Sequence, residues 1–201
     1  MKTAVLVSGG GTNLQAIIDS KAHGEMPHVD LALVLSSNRH AFALTRAENA
    51  GIPSAVVFRK KAETEEEYGE KLLKTLRSNG IELIALAGFL TILPENVVKA
   101  YDRRILNIHP SLIPAFCGKG YYGLRVHEEA LGRGVKITGA TVHFVNEIPD
   151  GGEIIAQKAV GVLPGDTPEI LQKRVMEQAE WHLLPAALEQ VASELESAKK
   201  P

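Results

Sequence analysis

Short runs rich in Val, Ile and Leu alternate along this chain with longer stretches in which apolar residues recur at helical spacing, the pattern of crossover units feeding a mostly parallel sheet. The first strand is expected at 4–7, followed by Gly9-Gly10-Gly11 and by a helix over 13–20 with Leu14, Ile17 and Ile18 on one face. Further strands are expected at 31–35, 55–58, 83–87 and 105–108, with helices over 42–50 and 64–78 between them. Thr64 and Glu67 have the spacing of a capping box, and the glutamates at 65–67 suit the positive end of a helix. From Pro114 to Gly123 the pattern gives way to a loop punctuated by Gly118, Gly120 and Gly123. Two more strands, 137–145 and 153–160, are joined by the turn-rich segment Asn146-Glu147-Ile148-Pro149-Asp150-Gly151-Gly152. A last amphipathic helix is expected over 168–198, opened by Asp166 or Thr167 and interrupted or kinked near Pro185. The fold class is α/β, an open, mostly parallel twisted sheet with helices on both faces, in one domain over 1–201.

Composition narrows the function classes. The chain has 201 residues, 45% of them hydrophobic, enough to bury a substantial core. A net charge of −2 gives no electrostatic footprint for general nucleic-acid binding and leaves room for an anionic small substrate. The single cysteine, Cys117, forms no intrachain disulfide and no multi-cysteine zinc site, so a reducing cytoplasm is the expected compartment. Ala4 to Val7 is too short for a signal-peptide core, and the longest apolar stretch, Leu83 to Leu90, falls far short of the ~20 residues of a membrane span, so no membrane role is expected.

Three stretches carry candidate chemistry. Asn107-Ile108-His109-Pro110-Ser111 follows an apolar run and sets an amide and an imidazole two residues apart, hence on one side of a strand. Pro110 cannot continue the ladder, so both side chains belong at the strand's carboxyl end, where open α/β sheets bind ligands. An amide donor beside an imidazole suits chemistry in which negative charge develops on a carbonyl oxygen, though a capped strand end accounts for the same residues. Ser8-Gly9-Gly10-Gly11-Thr12-Asn13-Leu14, between the first strand and the first helix, makes a phosphate seat from unpaired amides and the positive helix end, or else a tight turn. Leu14 stands where a dinucleotide fingerprint needs glycine, and the Gly-Lys-Ser/Thr of a nucleotide P-loop is missing, which favours a lone phosphate monoester. Asp150, ahead of two glycines, is either a turn residue or a carboxylate that orients an imidazole. His109, His127 and His143 lack a zinc-hydrolase spacing, and no metal is expected. Glu177 and Glu180, three apart on the last helix, share a face that is either solvated or turned to ligand hydroxyls.

Four motifs in order, Ser8 to Gln15, Ala87-Gly88-Phe89-Leu90-Thr91-Ile92-Leu93, Asn107 to Pro114, and His143-Phe144-Val145 through Asp150-Gly151-Gly152, span nearly the whole chain. In these motifs it resembles the folate-dependent formyltransferases, and in its glycine loop followed by Asn13-Leu14-Gln15 the branch that formylates glycinamide ribonucleotide in purine synthesis. The resemblance implies a Rossmann-like formyltransferase fold, with 10-formyltetrahydrofolate as co-substrate, glycinamide ribonucleotide as acceptor and no metal. It implies a monomer or homodimer. By residue, it implies that Asn107, His109 and Asp150 are catalytic and that Gly10, Gly11, Thr12, Asn13, Glu177 and Glu180 hold the ribonucleotide. Leu90, Thr91, Ile92 and Leu93, with Asn146, Glu147, Asn107 and Asp150, would line the folate pocket. Glu65 stands where some relatives carry a basic residue for the folate tail, so Arg59, Lys60 or Lys61 is the expected substitute; Arg125 stands where many carry histidine.

The implied reaction is direct attack of the amine on the formyl carbon. Asn107 donates to the tetrahedral oxyanion, His109 is held protonated by Asp150, and Asp150 or a water beside it relays the proton. The competing readings are another folate formyl-transferring or deformylating enzyme and, from a different class, an NADP-binding reductase or nucleotide-binding module using the glycine loop and Arg39. The chain lacks the third glycine which that last class requires.

Overall fold

A computed structural model describes residues 1–199. Its strands are β1 (Lys2–Val7), β2 (Asp30–Ser36), β3 (Ser54–Val56), β4 (Leu83–Leu86), β5 (Ile105–His109), β6 (Ile137–Phe144) and β7 (Ile154–Gly161). They form one seven-stranded sheet in the order β3-β2-β1-β4-β5-β6-β7. Pairing is parallel from β3 to β5, then antiparallel for β5 with β6 and for β6 with β7. The α/β class expected above is the one observed. The strand order reverses between β1 and β4, so the loops leaving these two strands flank a crevice at the carboxyl ends of the parallel strands.

The helices are α1 (Thr12–Ala22), α2 (Phe42–Asn49), α3 (Glu65–Ser78), α4 (Glu95–Ala100), α5 (Leu124–Arg133), α6 (Pro168–Val175) and α7 (Trp181–Ser197). Because side chains alternate along a strand, β1 feeds two cores: Val5 and Val7 join Leu14, Ala43, Val175, Leu184 and Leu188 on one face, and Ala4 and Leu6 join Tyr68, Leu72, Leu76 and Val97 on the other. Near-continuous apolar runs read as strands for this reason: both faces are covered. The capping box of α3 is present, with Thr64 Oγ1 accepting from the Glu67 amide at 3.2 Å and Glu67 Oε2 accepting from the Thr64 amide at 2.9 Å.

Two features differ from the sequence expectation, and a third settles an alternative left open there. Helices α4 and α5 were not anticipated. In α5 the buried stripe is Val126, His127 and Ala130, and a histidine in that stripe breaks the apolar period. The last helix is interrupted upstream of Pro185, by a π-helical segment at Met176–Glu180 between α6 and α7. Pro185 itself lies inside α7, beyond that segment. Thr167, rather than Asp166, caps α6, accepting from the Ile170 amide, while Asp166 pairs with Arg174. No described helix is long and apolar enough to cross a membrane.

Candidate active site

Strand β5 ends at His109, and its register with β6 sets Asn107 opposite His143 and His109 opposite Thr141. The connection from β6 to β7 then brings Asp150 back over this pair. Asp150 is held at φ 56, a conformation aspartate and asparagine reach more readily than most side chains. Behind it, a side chain at Gly152 would lie 1.8 Å from the Phe144 carbonyl oxygen, so only glycine lets the returning chain pass that close to β6.

The result is a buried polar cluster. Asp150 Oδ2 accepts from the Gly118 amide at 2.8 Å and lies 3.5 Å from His109 Nδ1. Asp150 Oδ1 lies 3.5 Å from both His143 Nε2 and Asn107 Nδ2. Asn107 Nδ2 is 3.1 Å from His143 Nε2. Carbonyl oxygens only accept, so the tautomers follow. His109 Nε2–H donates to the Phe116 carbonyl at 2.8 Å and His143 Nδ1–H donates to the Phe144 carbonyl at 2.8 Å, leaving His143 Nε2 to accept from Asn107. Asn107, His109 and Asp150 therefore meet; the two-residue spacing placed the first two on one side of the strand end, and the family resemblance brought in Asp150.

Burial pushes the His109 imidazole below its ordinary value, against the raising influence of Asp150 and of the Phe116 carbonyl. Desolvation thus works against the charged form of His109 that the pairing with Asp150 was expected to hold. Burial also works to raise the Asp150 carboxyl, but its neighbours His143, His109 and the Gly118 amide outweigh it and hold Asp150 below its ordinary value. The resting pair is a carboxylate facing a neutral imidazole, with Nδ1 open to a proton.

His127, fully buried on α5, has no hydrogen-bond partner at either ring nitrogen among the described residues, and burial, helped by His109, pushes it down to about 4. A folded-state value below the unfolded 6.5 means that the unfolded chain takes up the proton first, so stability is lost as the pH falls from about 6.5 to about 4. Full expression of that shift is about 3 kcal/mol. Denaturant titrations of the wild type and of His127→Gln at pH 7 and pH 4.5 are expected to show a smaller acid loss in the variant; equal losses would mean that other groups carry it.

The glycine loop lies at the head of α1. The Gly9 carbonyl accepts from the Ala43 amide at 3.1 Å, the Gly10 carbonyl from Arg46 Nε at 2.9 Å and the Gly11 carbonyl from the Gln15 amide at 2.9 Å. Gly11 has φ +73, and a β-carbon there would meet Ala43 Cβ at 2.6 Å. Thr12 Oγ1 faces Met176 Sδ at 3.8 Å, and Asn13 Nδ2 donates to Glu180 Oε2 at 2.6 Å. Glu180 is buried, and burial raises its carboxyl despite that bond. Glu177 is exposed and pairs with Lys173, so the two glutamates do not share a face. The π turn lying between them is wider than an α turn and rotates the i, i+3 pair apart.

Leu90 and Ile92, in the loop after β4, are 65% and 72% exposed, while Leu93 is buried and Thr91 is half-buried. This loop is tied to the glycine loop through Ser8, whose Oγ accepts from the Leu90 amide at 2.9 Å. Asn146 shapes the loop before Asp150, its Oδ1 accepting from the Ile148 amide at 3.0 Å, and Glu147 is exposed. Arg59 is committed to Glu65 and the Glu63 carbonyl, and Arg125 lies over the Tyr121 ring at 5.7 Å. Among the described residues no group of three or more metal-ligating side chains converges.

Sequence reasoning left His143, Phe116, Gly118 and Arg46 outside the site. His143 had a signal, an imidazole on the strand that runs into the Asp150 loop. The other contacts are backbone groups, which no residue type announces, or depend on how α2 packs.

Comparison with known proteins matches residues 1–188 to the formyl transferase family. The chain is 42% identical to the chloroplastic phosphoribosylglycinamide formyltransferase of Arabidopsis thaliana over 88% of its own residues, and spans 61% of that protein. It is 41% identical to the phosphoribosylglycinamide formyltransferase of Haemophilus influenzae, covering 93% of this chain and 85% of that protein. The crystal structure of phosphoribosylglycinamide formyltransferase from Bacillus halodurans superimposes with a TM-score of 0.90 at 35% identity, covering 100% of each chain. By its matched residues, its sheet and its polar cluster, the chain belongs to the formyl transferase family, in the branch of the phosphoribosylglycinamide formyltransferases.

Proposed function

We propose that this chain transfers the formyl group of 10-formyltetrahydrofolate to the primary amine of 5'-phosphoribosylglycinamide. What carries the reading is one juxtaposition: an amide, an imidazole and a carboxylate at the end of β5, in a sheet whose switch-point loop offers unpaired amides and a helix amino terminus. The phosphate of the ribonucleotide lies against Gly10, Gly11, Thr12 and Asn13, and Glu180 is turned toward the ribose. The folate ring lies along Leu90 to Leu93 and the loop from Asn146 to Asp150. The single cysteine suits a reducing compartment, and we place the chain in the cytoplasm.

In the reaction the amine nitrogen attacks the formyl carbon, and a C–N bond forms as the carbonyl becomes an oxyanion. Asn107 Nδ2 and His109 Nε2–H donate to that oxygen, His109 exchanging the Phe116 carbonyl for it. The nitrogen that attacked then gives up a proton. Asp150, ionised and facing the open Nδ1 of His109 at 3.5 Å, is placed to receive it and to pass it, directly or through a water, to folate N10 as the C–N10 bond breaks. Remote binding of the phosphate fixes the amine near the formyl carbon. The test is absorbance of the folate product from a 10-formyl donor, with and without glycinamide ribonucleotide. Release only with the ribonucleotide is expected; equal release without it would mean hydrolysis and overturn the transfer reading.

A further inference from the structure

All three carbonyls of the glycine loop are tied down, those of Gly9 and Gly10 by α2 and that of Gly11 by the first turn of α1. In a trans peptide the carbonyl and the next amide point in opposite directions. Tying the Gly9 and Gly10 carbonyls to α2 therefore aims the Gly10 and Gly11 amides away from α2, and tying the Gly11 carbonyl into the first turn of α1 aims the Thr12 amide out of that helix's amino terminus. None of those three amides has a protein acceptor among the described residues. Two of the three ties are backbone amides, from Ala43 and Gln15, which no substitution removes without rebuilding the chain. The middle tie alone is a side chain.

That side chain is Arg46. Its Nε donates to the Gly10 carbonyl at 2.9 Å and its Nη1 to Gln15 Oε1 at 2.9 Å. Gln15 is in turn fixed by its Nε2 to Asp19 Oδ1 at 2.8 Å, and the guanidinium lies over the Phe42 ring at 5.1 Å. A planar fork held at two points and stacked on a ring has a fixed direction, which a lysine ammonium cannot reproduce. The same packing keeps Gly11 against Ala43, with its amide as the peptide's only free polar group.

We propose that Arg46 is a positioning residue for the phosphate seat: it holds the Gly10–Gly11 peptide with its amide presented to the substrate phosphate, and does not itself bind that phosphate. This rests on the assignment of the ribonucleotide phosphate to the glycine loop. Without the tie the peptide is free to turn, and the seat loses one charge-assisted hydrogen bond.

Steady-state kinetics of Arg46→Lys and Arg46→Met test it. Both variants are expected to raise the KM for glycinamide ribonucleotide by roughly ten- to thirtyfold, the loss of one hydrogen bond to a charged group. The KM for the formyl donor and the melting temperature should move little, and kcat at saturation should fall far less than KM rises. Lysine rescuing most of the loss while methionine does not would make Arg46 a direct charge contact and overturn the positioning role. Equal changes in both KM values, or a large fall in melting temperature, would make it a general structural residue. Inorganic phosphate separates the two levels. It should compete with the ribonucleotide and not with the donor in the wild type, and more weakly in both variants. No competition in the wild type would overturn the seat itself, whereas wild-type competition unchanged in the variants would overturn only the role of Arg46.

Discussion

Asp150→Asn is expected to lower kcat by roughly 10² to 10⁴ while the KM for the formyl donor stays within a few-fold. The substitution preserves shape. Asparagine tolerates the left-handed backbone at φ 56 as aspartate does, and its carbonyl still accepts from the Gly118 amide. What is lost is the negative charge 3.5 Å from His109 Nδ1, and with it both the relay for the amine proton and the attraction that opposes His109's desolvation. His109→Ala removes the other half of the same unit. The double variant is therefore expected to be little worse than the poorer single one, since residues that act together are not additive. Fully multiplicative losses, or near-normal turnover in Asp150→Asn, would leave Asp150 as a turn residue.

Gly152→Ala is expected to cost about 3 kcal/mol or more, in the upper range of single substitutions. The added carbon would sit 1.8 Å from the Phe144 carbonyl oxygen and 2.8 Å from the Phe144 carbonyl carbon, and backbone cannot swing aside as a side-chain tip can. Relief requires opening the start of the β6–β7 ladder, where the Phe144 amide donates to the Glu153 carbonyl at 2.9 Å. For a chain of this length the melting temperature should fall by roughly 6–12 °C. Turnover should fall as well, because the displaced segment carries Asp150. Gly161→Ala, at the far end of β7 with nothing within 4 Å of the added carbon, is the control and should be near neutral. A Gly152→Ala protein as stable and active as that control would show that the loop yields without cost.

What the sequence made legible follows from which contacts are local. The Asn107–His109 spacing sufficed to put two side chains on one side of a strand end, and Pro110 to end that strand, because both are properties of consecutive residues. The capping box of α3 was legible for the same reason. His143 facing Asn107 depends on the register of β5 against β6, which no local pattern contains. The Glu177–Glu180 pair misled because it presumed an α turn where the chain makes a π turn, and α5 was hidden by a histidine that replaces an apolar residue in its buried stripe. The neutral resting state of His109 needs the depth of burial, which emerges only from packing.

The place of β1 in the sheet has a consequence for the order in which the molecule is made. Lys2–Val7 pairs on one side with β2 but on the other with β4, through Thr3 with Leu83 to Leu6 with Leu86. Until some eighty further residues have been synthesised, one edge of this future interior strand stays open, and it is apolar. Val5 and Val7 also await Leu184 and Leu188 of α7, which are made far later than β1. The nascent chain thus carries an unsatisfied hydrophobic ribbon until those later segments are made, and variants that slow closure of the sheet should be found in aggregates before they are found inactive.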